Sequence, residues 1–340
     1  MSADILLEVR GLRTVFDTRA GQVCAVDGVD VTVNRGECLG IVGESGSGKS
    51  VTFASVMGLV RVPGRIEAGE IVFDGIDLRK LSAKKMQAMR GRDIAMTMQD
   101  ALTALNPALT VGEQLAEMLA AHADDLPPGR MARRAAIRAR AIEMLTRVGI
   151  PSAGERLGQY PHEFSGGMRQ RIMIALALAA KPRLLIADEP TTALDVTIQA
   201  QVLELISALR AEFGMSVVLI THDLGVVAQH CDRVMVMYAG QVVEEGPTAQ
   251  VIRQPRHPYT QGLLASIPRP ARRGQPIRPI QGQVPELVNL PPQCRFLERC
   301  PLADDACRHP IDMRPAGPER RARCIRITTP DIEKGLSHDI

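Results

Sequence analysis

The sequence has no tryptophan and few other aromatic residues, with three tyrosines and six phenylalanines among 340 residues. It also lacks any stretch that approaches the roughly 20 consecutive apolar residues of a membrane-spanning helix. The longest apolar candidate, residues 172–180, stops at Lys181 and Pro182. The sequence therefore predicts that this chain does not cross a membrane by itself.

Strong net charge and a secretion signal are missing as well. A net charge of +3 is too small to indicate nucleic acid as a partner, because a basic patch would have to be present locally. Residues 1–4 offer neither the basic region nor the apolar core of a signal peptide. We expect a protein that stays in the cytosol, with one large domain and an appendage, or with two domains.

One glycine-rich stretch is a complete phosphate-binding motif, flanked by a predicted strand at residues 37–42 and a predicted helix at 51–57. Glycine lets the backbone fold tightly, so that successive N–H groups point at phosphate oxygens. The lysine of the motif is expected to reach the β- and γ-phosphates, and its last serine to bind Mg²⁺. The sequence predicts a nucleoside triphosphate site formed by Gly43, Glu44, Ser45, Gly46, Ser47, Gly48, Lys49 and Ser50.

Two later strands end in side chains suited to phosphate chemistry. Residues 184–187 read as a buried strand that ends in Asp188 and Glu189. In a parallel α/β sheet, ligands bind beyond the carboxyl ends of the strands. Asp188 is thus a candidate for holding Mg²⁺, and Glu189 for polarising the attacking water. Residues 217–220 repeat the pattern and lead to His222, a γ-phosphate sensor or a structural histidine.

Four further features of the sequence each allow two interpretations when considered alone. Phe16 could stack on an adenine or belong to the core. Gln99, after the strand at 94–98, reads as a surface residue on its own and becomes a site candidate only beside the other motifs. Ser165 to Gly167 precede a helix, as a phosphate-binding N-terminus or a plain cap. The arginine run at 130–140 in a helical region favours a solvated helix face over a site for phospholipid or a partner.

Together these residues resemble the ATP-binding subunit of an ABC transporter. Residues 43–50 match its Walker A motif, residues 165–170 its signature motif (with Met168 where glutamine is commoner) and residues 184–189 its Walker B motif. Three shorter matches are Gln99 as the Q-loop, residues 193–195 with Asp195 as the D-loop, and His222 as the H-loop.

A narrower resemblance is to the dipeptide/oligopeptide importer ATPases. It rests on the glycine-rich motif, on residues 99–100 followed by 105–107, on residues 257–260, and on the cysteine-flanked stretch 294–300. The resemblance implies an α/β fold with a RecA-like P-loop core, a β-rich edge and an inserted helical subdomain. The ATPase domain would span residues 1–260, built from 1–98 and about 162–260 with the helical insert at about 99–161. A small irregular extension with the cysteines would span 261–340.

The same resemblance implies how ATP is bound and hydrolysed. Two ATPase domains would sandwich two ATP molecules, each between the Walker A motif of one and the signature of the other, so that Ser165 and Gly167 act in trans. Lys49, Glu189 and His222 would be the catalytic residues. Gln99 would join Ser50 and Asp188 at Mg²⁺ and link the nucleotide to the helical insert. Phe16 and Asp195 would complete the nucleotide site.

The partners implied are two transmembrane permeases, a second ATP-binding subunit (a paralogue or another copy) and an extracytoplasmic solute-binding protein. The chain would lie peripherally on the cytoplasmic side of the membrane, energising peptide import, with nickel or glutathione as alternative solutes. A DNA-repair ATPase of the same superfamily would need a long coiled coil, and a translation factor would need two sets of motifs. Neither is present in the sequence.

Four of the seven cysteines lie near the end of the chain, spaced C-x₅-C-x₆-C-x₁₆-C. In a reducing compartment such a cluster indicates metal or redox chemistry rather than disulfides. Four thiolates can hold Zn²⁺ or a [4Fe–4S] cluster. The absence of a short C-x₂₋₄-C pair favours iron, as does the resemblance, whereas free thiols are the alternative. The predicted ligands are Cys294, Cys300, Cys307 and Cys324.

Overall fold

A computed structural model of the chain describes residues 4–98, 104–123, 125–192, 194–267 and 279–327. The strands are β1 Ile5–Thr18, β2 Gly21–Asn34, β3 Cys38–Val42, β4 Gly64–Phe73, β5 Ile76–Asp77, β6 Ile94–Thr97, β7 Leu184–Asp188, β8 Ser216–Thr221, β9 Arg233–Tyr238, β10 Gln241–Pro247, β11 Arg314–Gly317 and β12 Arg320–Ala322. The helices are α1 Lys49–Val56, α2 Ala83–Met89, α3 Val111–His122, α4 Arg130–Arg147, α5 Ala153–Arg156, α6 Gly166–Leu178, α7 Val196–Phe213, α8 Leu224–His230, α9 Thr248–Arg253 and α10 Pro258–Ala265.

The chain forms two compact units. The first, which we call the helical unit, contains residues 34–37 and 80–220. The second, the loop unit, contains residues 5–33, 38–79 and everything described from 221 onward. No helix in the described ranges is both long and apolar enough to cross a membrane.

The loop unit begins with an antiparallel sheet in the order β2-β1-β4-β5. Strand β1 pairs with β4 from Leu7 opposite Phe73 to Phe16 opposite Gly64. Helix α1 packs on this sheet, where the hydroxyls of Thr14 and Ser55 lie 2.8 Å apart in the interior. The β-rich character predicted for residues 5–42 is confirmed.

A second set of strands in the loop unit carries the glycine-rich motif. Strand β3 pairs with β9 in parallel. Strand β9 then pairs antiparallel with β10, β10 with β12, and β12 with β11. All five residues of β3 are buried. A strand covered on both faces is apolar throughout, which explains its continuous apolar run.

The helical unit contains three parallel strands, with β7 between β6 and β8. The helical pattern predicted for residues 111–156 is present as α3, α4 and α5. Helix α3 starts in a capping box, where Thr110 Oγ1 accepts from the Glu113 N–H and Glu113 accepts from the Thr110 N–H. On α4 only Ala141, Met144 and Leu145 are buried, so most of its arginines face solvent.

Candidate functional site

The glycine-rich motif forms a loop between β3 and α1. Its lysine is 5% exposed, and the Lys49 Nζ donates to the Gly43 carbonyl at 2.7 Å and to the Glu44 carbonyl at 2.9 Å. The Ser47 Oγ lies 3.3 Å from the same nitrogen. The loop thus curls around its own ammonium group, which fixes a positive charge at its centre.

Two glycines of the loop occupy places where no side chain fits. Gly43 has φ of +156° and Gly48 has φ of +97°, a region that L-residues rarely adopt. A Cβ would lie 2.2 Å from the Met237 carbonyl oxygen at the first position and 2.4 Å from the Ala25 carbonyl oxygen at the second. The close approach of neighbouring backbone therefore requires glycine, and it leaves peptide groups rather than side chains to line the loop.

Residues far along the chain hold the loop from outside. The Glu44 N–H donates to the Tyr259 Oη at 2.9 Å, from a residue 215 positions away. The Glu44 carboxylate accepts two hydrogen bonds from Arg299, at 2.7 and 3.0 Å, from 255 positions away. Neither contact was predictable from the sequence, because no local spacing links residues so distant.

Two further predicted site residues of the loop unit, Phe16 and His222, lie outside the glycine-rich motif. Phe16 is half-buried, and its ring packs over Gly64, where a Cβ would come within 2.5 Å of the ring. His222 is exposed and follows β8 at once. The next residue, Asp223, caps α8 by accepting from the Gly225 N–H at 2.7 Å. The histidine is thereby placed at a turn between a buried strand and a helix.

In the helical unit, the two predicted carboxylates end β7. Asp188 is 6% exposed. Glu189 has φ of +44°, a left-handed conformation that costs a non-glycine residue about 1 kcal/mol or more. Its N–H donates to the Ile220 carbonyl at 2.9 Å, and its carboxylate accepts from the Thr192 hydroxyl at 2.8 Å. Strain of this kind concentrates at functional positions, because the surrounding structure must hold it.

The predicted signature residues open α6. The Ser165 Oγ accepts from the Met168 N–H at 3.4 Å, so the cap expected from the sequence is present. Ser165 and Gly166 are exposed, whereas a Cβ on Gly167 would come within 2.8 Å of Ile198. Asp195 caps α7, accepting from the Ile198 N–H at 2.9 Å. The two helix starts are therefore both capped by side chains of the predicted motifs.

Two predicted positions, Gln99 and Ala193 of the D-loop, lie outside the described residues.

Comparison with known proteins gives close relatives along almost the whole chain. A peptide import ATP-binding protein of Brucella melitensis is 50% identical over 339 residues, which cover 96% of this chain and 98% of the relative. The dipeptide transport ATP-binding protein DppD of Bacillus subtilis is 53% identical, covering 87% of each chain. The oligopeptide transport ATP-binding protein OppD of Salmonella typhimurium is 46% identical, covering 95% of this chain and 94% of the relative.

The chain belongs to the ABC transporter ATP-binding proteins of the peptide importer type. It is therefore an ABC ATPase. A model of the ABC transporter family matches residues 26–192. A model of the oligopeptide/dipeptide transporter C-terminal region matches residues 243–307.

Solved structures agree with the RecA-like P-loop fold of an ABC ATPase. A dimeric form of the ATP-binding cassette MJ0796, in a post-hydrolysis state bound to ADP and Pi, has a TM-score of 0.62 at 27% identity, covering 72% of this chain and 99% of that chain. CbiO1 of Clostridium perfringens, part of the ABC transporter complex cbiONQ, has a TM-score of 0.60 at 28% identity, covering 74% of this chain and 92% of that chain.

The four cysteines in the C-terminal region of this ABC ATPase lie near one another. Cys307 and Cys324 are buried, and the Cys294 N–H donates to the Cys307 carbonyl at 3.0 Å. Burial raises the pKa of the Cys294 thiol to about 11, and the thiols of the other three cysteines add to the rise. Within the described ranges, however, no group of three or more His, Cys, Asp or Glu side chains is arranged to hold a metal ion.

Proposed function

We propose that this ABC ATPase powers the import of peptides across the cytoplasmic membrane. The observation that carries the proposal is the loop between β3 and α1, whose glycines expose backbone around a central lysine. The names of the relatives, which refer to peptide, dipeptide and oligopeptide transport, support peptides as the solute. The chain would act peripherally on the cytoplasmic side, with two transmembrane permeases and an extracytoplasmic solute-binding protein.

For the loop unit, we propose that residues 43–50 bind the phosphates of ATP. The buried Lys49 and the helix start at α1 provide the positive charge that phosphates require. Phe16 would stack on the adenine, consistent with a ring that is half-buried beside Gly64. His222 would contact the γ-phosphate, for which its exposed place after β8 is suitable.

For the helical unit, we propose that Glu189 orients and activates the attacking water. From this unit, Asp188 would be an oxygen ligand of Mg²⁺, a cation that prefers oxygen ligands. When bound, Mg²⁺ neutralises charge on the β- and γ-phosphates. The strained backbone of Glu189 supports its role, because the turn fixes the direction of the side chain.

We propose that Ser165 and Gly167 complete the ATP site of a second ATP-binding subunit. The exposed start of α6 is available to a partner, and Asp195 lies at the next capped helix of the same unit. The related cassette MJ0796 is a dimer. We prefer a paralogue as the partner, so this subunit alone should hydrolyse ATP slowly. A fully active transporter with two copies of this chain would overturn that preference.

The catalytic proposal is tested by Glu189→Gln in the assembled transporter. We expect ATP binding to persist and turnover to fall by about 100-fold or more, since the side chain keeps its shape but loses its charge. Thr192→Val is a matched control, because it removes the hydroxyl that bonds Glu189 without removing the carboxylate. Turnover near the normal rate in Glu189→Gln would show that the base is misassigned.

We also propose that Cys294, Cys300, Cys307 and Cys324 hold a [4Fe–4S] cluster that stabilises the C-terminal region. Four thiolates can hold Zn²⁺ or a [4Fe–4S] cluster, and the spacing C-x₅-C-x₆-C-x₁₆-C, which lacks a short C-x₂₋₄-C pair, favours iron. Two of the four cysteines, Cys307 and Cys324, are buried. The ranges 1–260 for the ATPase domain, with its helical subdomain at about 99–161, and 261–340 for the extension remain part of the proposal.

The cluster is tested by anaerobic purification of the full chain. We expect brown protein with broad absorbance at roughly 400 nm, as for thiolate-ligated clusters. Cys300→Ser should lose the iron, whereas Cys231→Ser, whose thiol lies beside that of Cys38, should keep it. Colourless protein with stoichiometric zinc would overturn the iron assignment, and protein with no metal would overturn the site.

A further inference from the structure

An ion pair on the phosphate-binding loop comes from the C-terminal region. The two terminal nitrogens of Arg299 each donate to one carboxylate oxygen of Glu44, at 2.7 and 3.0 Å. Such a two-point contact fixes direction as well as distance, because both groups are planar. Glu44 is the second residue of the loop, so the contact reaches directly into the proposed ATP site.

The Arg299 side chain is fixed by several contacts besides the one with Glu44. It is 5% exposed, and its Nε donates to the Gln281 carbonyl at 2.9 Å. The guanidinium lies 5.6 Å from the centre of the Tyr238 ring and 6.0 Å from that of Phe296, within cation–π range. Most exposed ion pairs contribute little because both side chains move freely. Arg299 instead presents a preorganised donor pair to the loop.

A second contact reaches the same loop residue. The Tyr259 Oη accepts from the Glu44 N–H at 2.9 Å, and Tyr259 is fully buried. Its ring packs against Tyr238 and Phe296, with centroid distances of 4.6 and 5.4 Å. Both the backbone and the side chain of Glu44 are therefore fixed by one aromatic cluster, which consists of Tyr238, Tyr259 and Phe296.

Glu44 also connects to the centre of the loop. Its carbonyl accepts from the Lys49 Nζ at 2.9 Å and from the Ser47 N–H at 3.2 Å. A single residue thus contacts Arg299 through its carboxylate and Lys49 through its peptide group. Any shift of Glu44 would move the groups around the lysine ammonium.

We propose that Arg299 is a positioning residue for the phosphate-binding loop, acting through Glu44, and that the C-terminal region thereby sets the affinity for ATP. The inference rests on the proposed role of residues 43–50 in binding phosphate. If Arg299 only anchored the C-terminal region, its removal would lower thermal stability and leave nucleotide affinity unchanged. The two roles therefore differ in a measurable property.

The test measures the Kd for Mg-ATP and the thermal midpoint of the full chain in Arg299→Met, Glu44→Gln and the double variant. We expect each single variant to bind ATP about tenfold more weakly, equivalent to ~1.4 kcal/mol. Because both substitutions remove the same contact, the double variant should bind no more weakly than either single one. Arg299→Lys keeps the charge but loses the planar pair of donors, so its Kd should lie between those of the wild type and Arg299→Met.

Two controls separate this inference from the proposed function. Arg308→Met removes an arginine of the same region whose side chain pairs with Asp305 at the surface, and it should leave the Kd unchanged. Lys49→Ala should abolish measurable binding if the loop binds phosphate. A folded Arg299→Met variant with wild-type Kd, or multiplicative losses in the double variant, would overturn the inference even if Lys49→Ala behaves as expected. Retained binding in Lys49→Ala would overturn the proposed function itself.

Discussion

The turns of the phosphate-binding loop are formed by residues of the loop itself, whereas the C-terminal region is held by side-chain contacts with distant parts of the chain. In the loop, Gly43 and Gly48 permit the backbone turns and Lys49 bonds to carbonyls a few residues away. In the C-terminal region, Phe296 packs edge-on against Tyr238, and Arg295 pairs with Asp27 at 2.6 Å. The first region depends on local backbone conformation, and the second on contacts between side chains that lie far apart in the sequence.

This difference predicts where substitutions act. Changes in the loop should distort the backbone around the lysine directly. Changes in the C-terminal region should remove packing contacts or single hydrogen bonds, and they should lower the free energy of unfolding by less. Three experiments test this contrast, from the largest expected effect to the smallest.

Gly48→Ala should have the largest effect. The new Cβ would lie 2.4 Å from the Ala25 carbonyl oxygen, at a φ of +97°. Backbone strain and the clash together should cost roughly 3 kcal/mol of unfolding free energy, measured by urea denaturation. Gly46→Ala is the matched control, because that position has φ of +78° but open space around a Cβ. Equal losses in both variants would show that backbone conformation, and not close packing, is what requires glycine.

Acidification should destabilise the chain through His257, which lies against the aromatic cluster. Burial, aided by Arg323, lowers the pKa of His257 to about 3, and its Nδ1 accepts from the Tyr259 N–H at 3.1 Å. Because the unfolded chain takes up this proton near pH 6.5, stability should fall as the pH drops below that value. The loss at pH 5.5 should be about 1.4 kcal/mol.

The measurement is urea unfolding at pH 7.5 and 5.5 for the wild type and for His257→Asn. The variant should show a smaller difference between the two pH values, although its stability at pH 7.5 will itself be lower. An unchanged difference would mean that other groups cause the acid sensitivity.

Tyr259→Phe should have the smallest effect. It keeps the ring in the aromatic cluster but removes the oxygen that accepts from the Glu44 N–H. The expected cost is about 1 kcal/mol of unfolding free energy, typical of one lost hydrogen bond. Tyr160→Phe offers a comparison at an exposed tyrosine, where stability should hardly change. A loss as large as that of Gly48→Ala would remove the contrast between the two regions.

The contrast also explains what the sequence could predict. The loop, the strand ends at Asp188 and His222, and the cap at Ser165 follow from local patterns, since strand, turn and helix signals stand next to one another. The bend that puts Glu189 at a positive φ was not predictable, because it depends on a bond to Ile220 of the neighbouring strand. The helical pattern after residue 111 gave the element type but not its division into three helices.

The contacts of Arg299 were not predictable from the sequence. Its partner Glu44 belonged to the predicted motif, and residues 294–300 were singled out for their cysteines, yet nothing in either stretch connected them. The packing of Phe296 against residues of β9 and α10 helps to bring that arginine to the loop. Long-range contacts of this kind follow from tertiary packing rather than from a periodic pattern.

The short hairpin of β11 and β12 has a consequence for the solubility of the chain. Strand β12 pairs with the buried strand β10, opposite Glu244 and Glu245. Beyond it, β11 has only four residues and includes Pro315, which has no N–H to offer another strand. A truncation before residue 314 would leave the edge of β10 open to pairing with other chains, which is a recognised route to aggregation. The hairpin of β11 and β12 thus covers an edge of β10 that would otherwise be open to strand pairing with other chains.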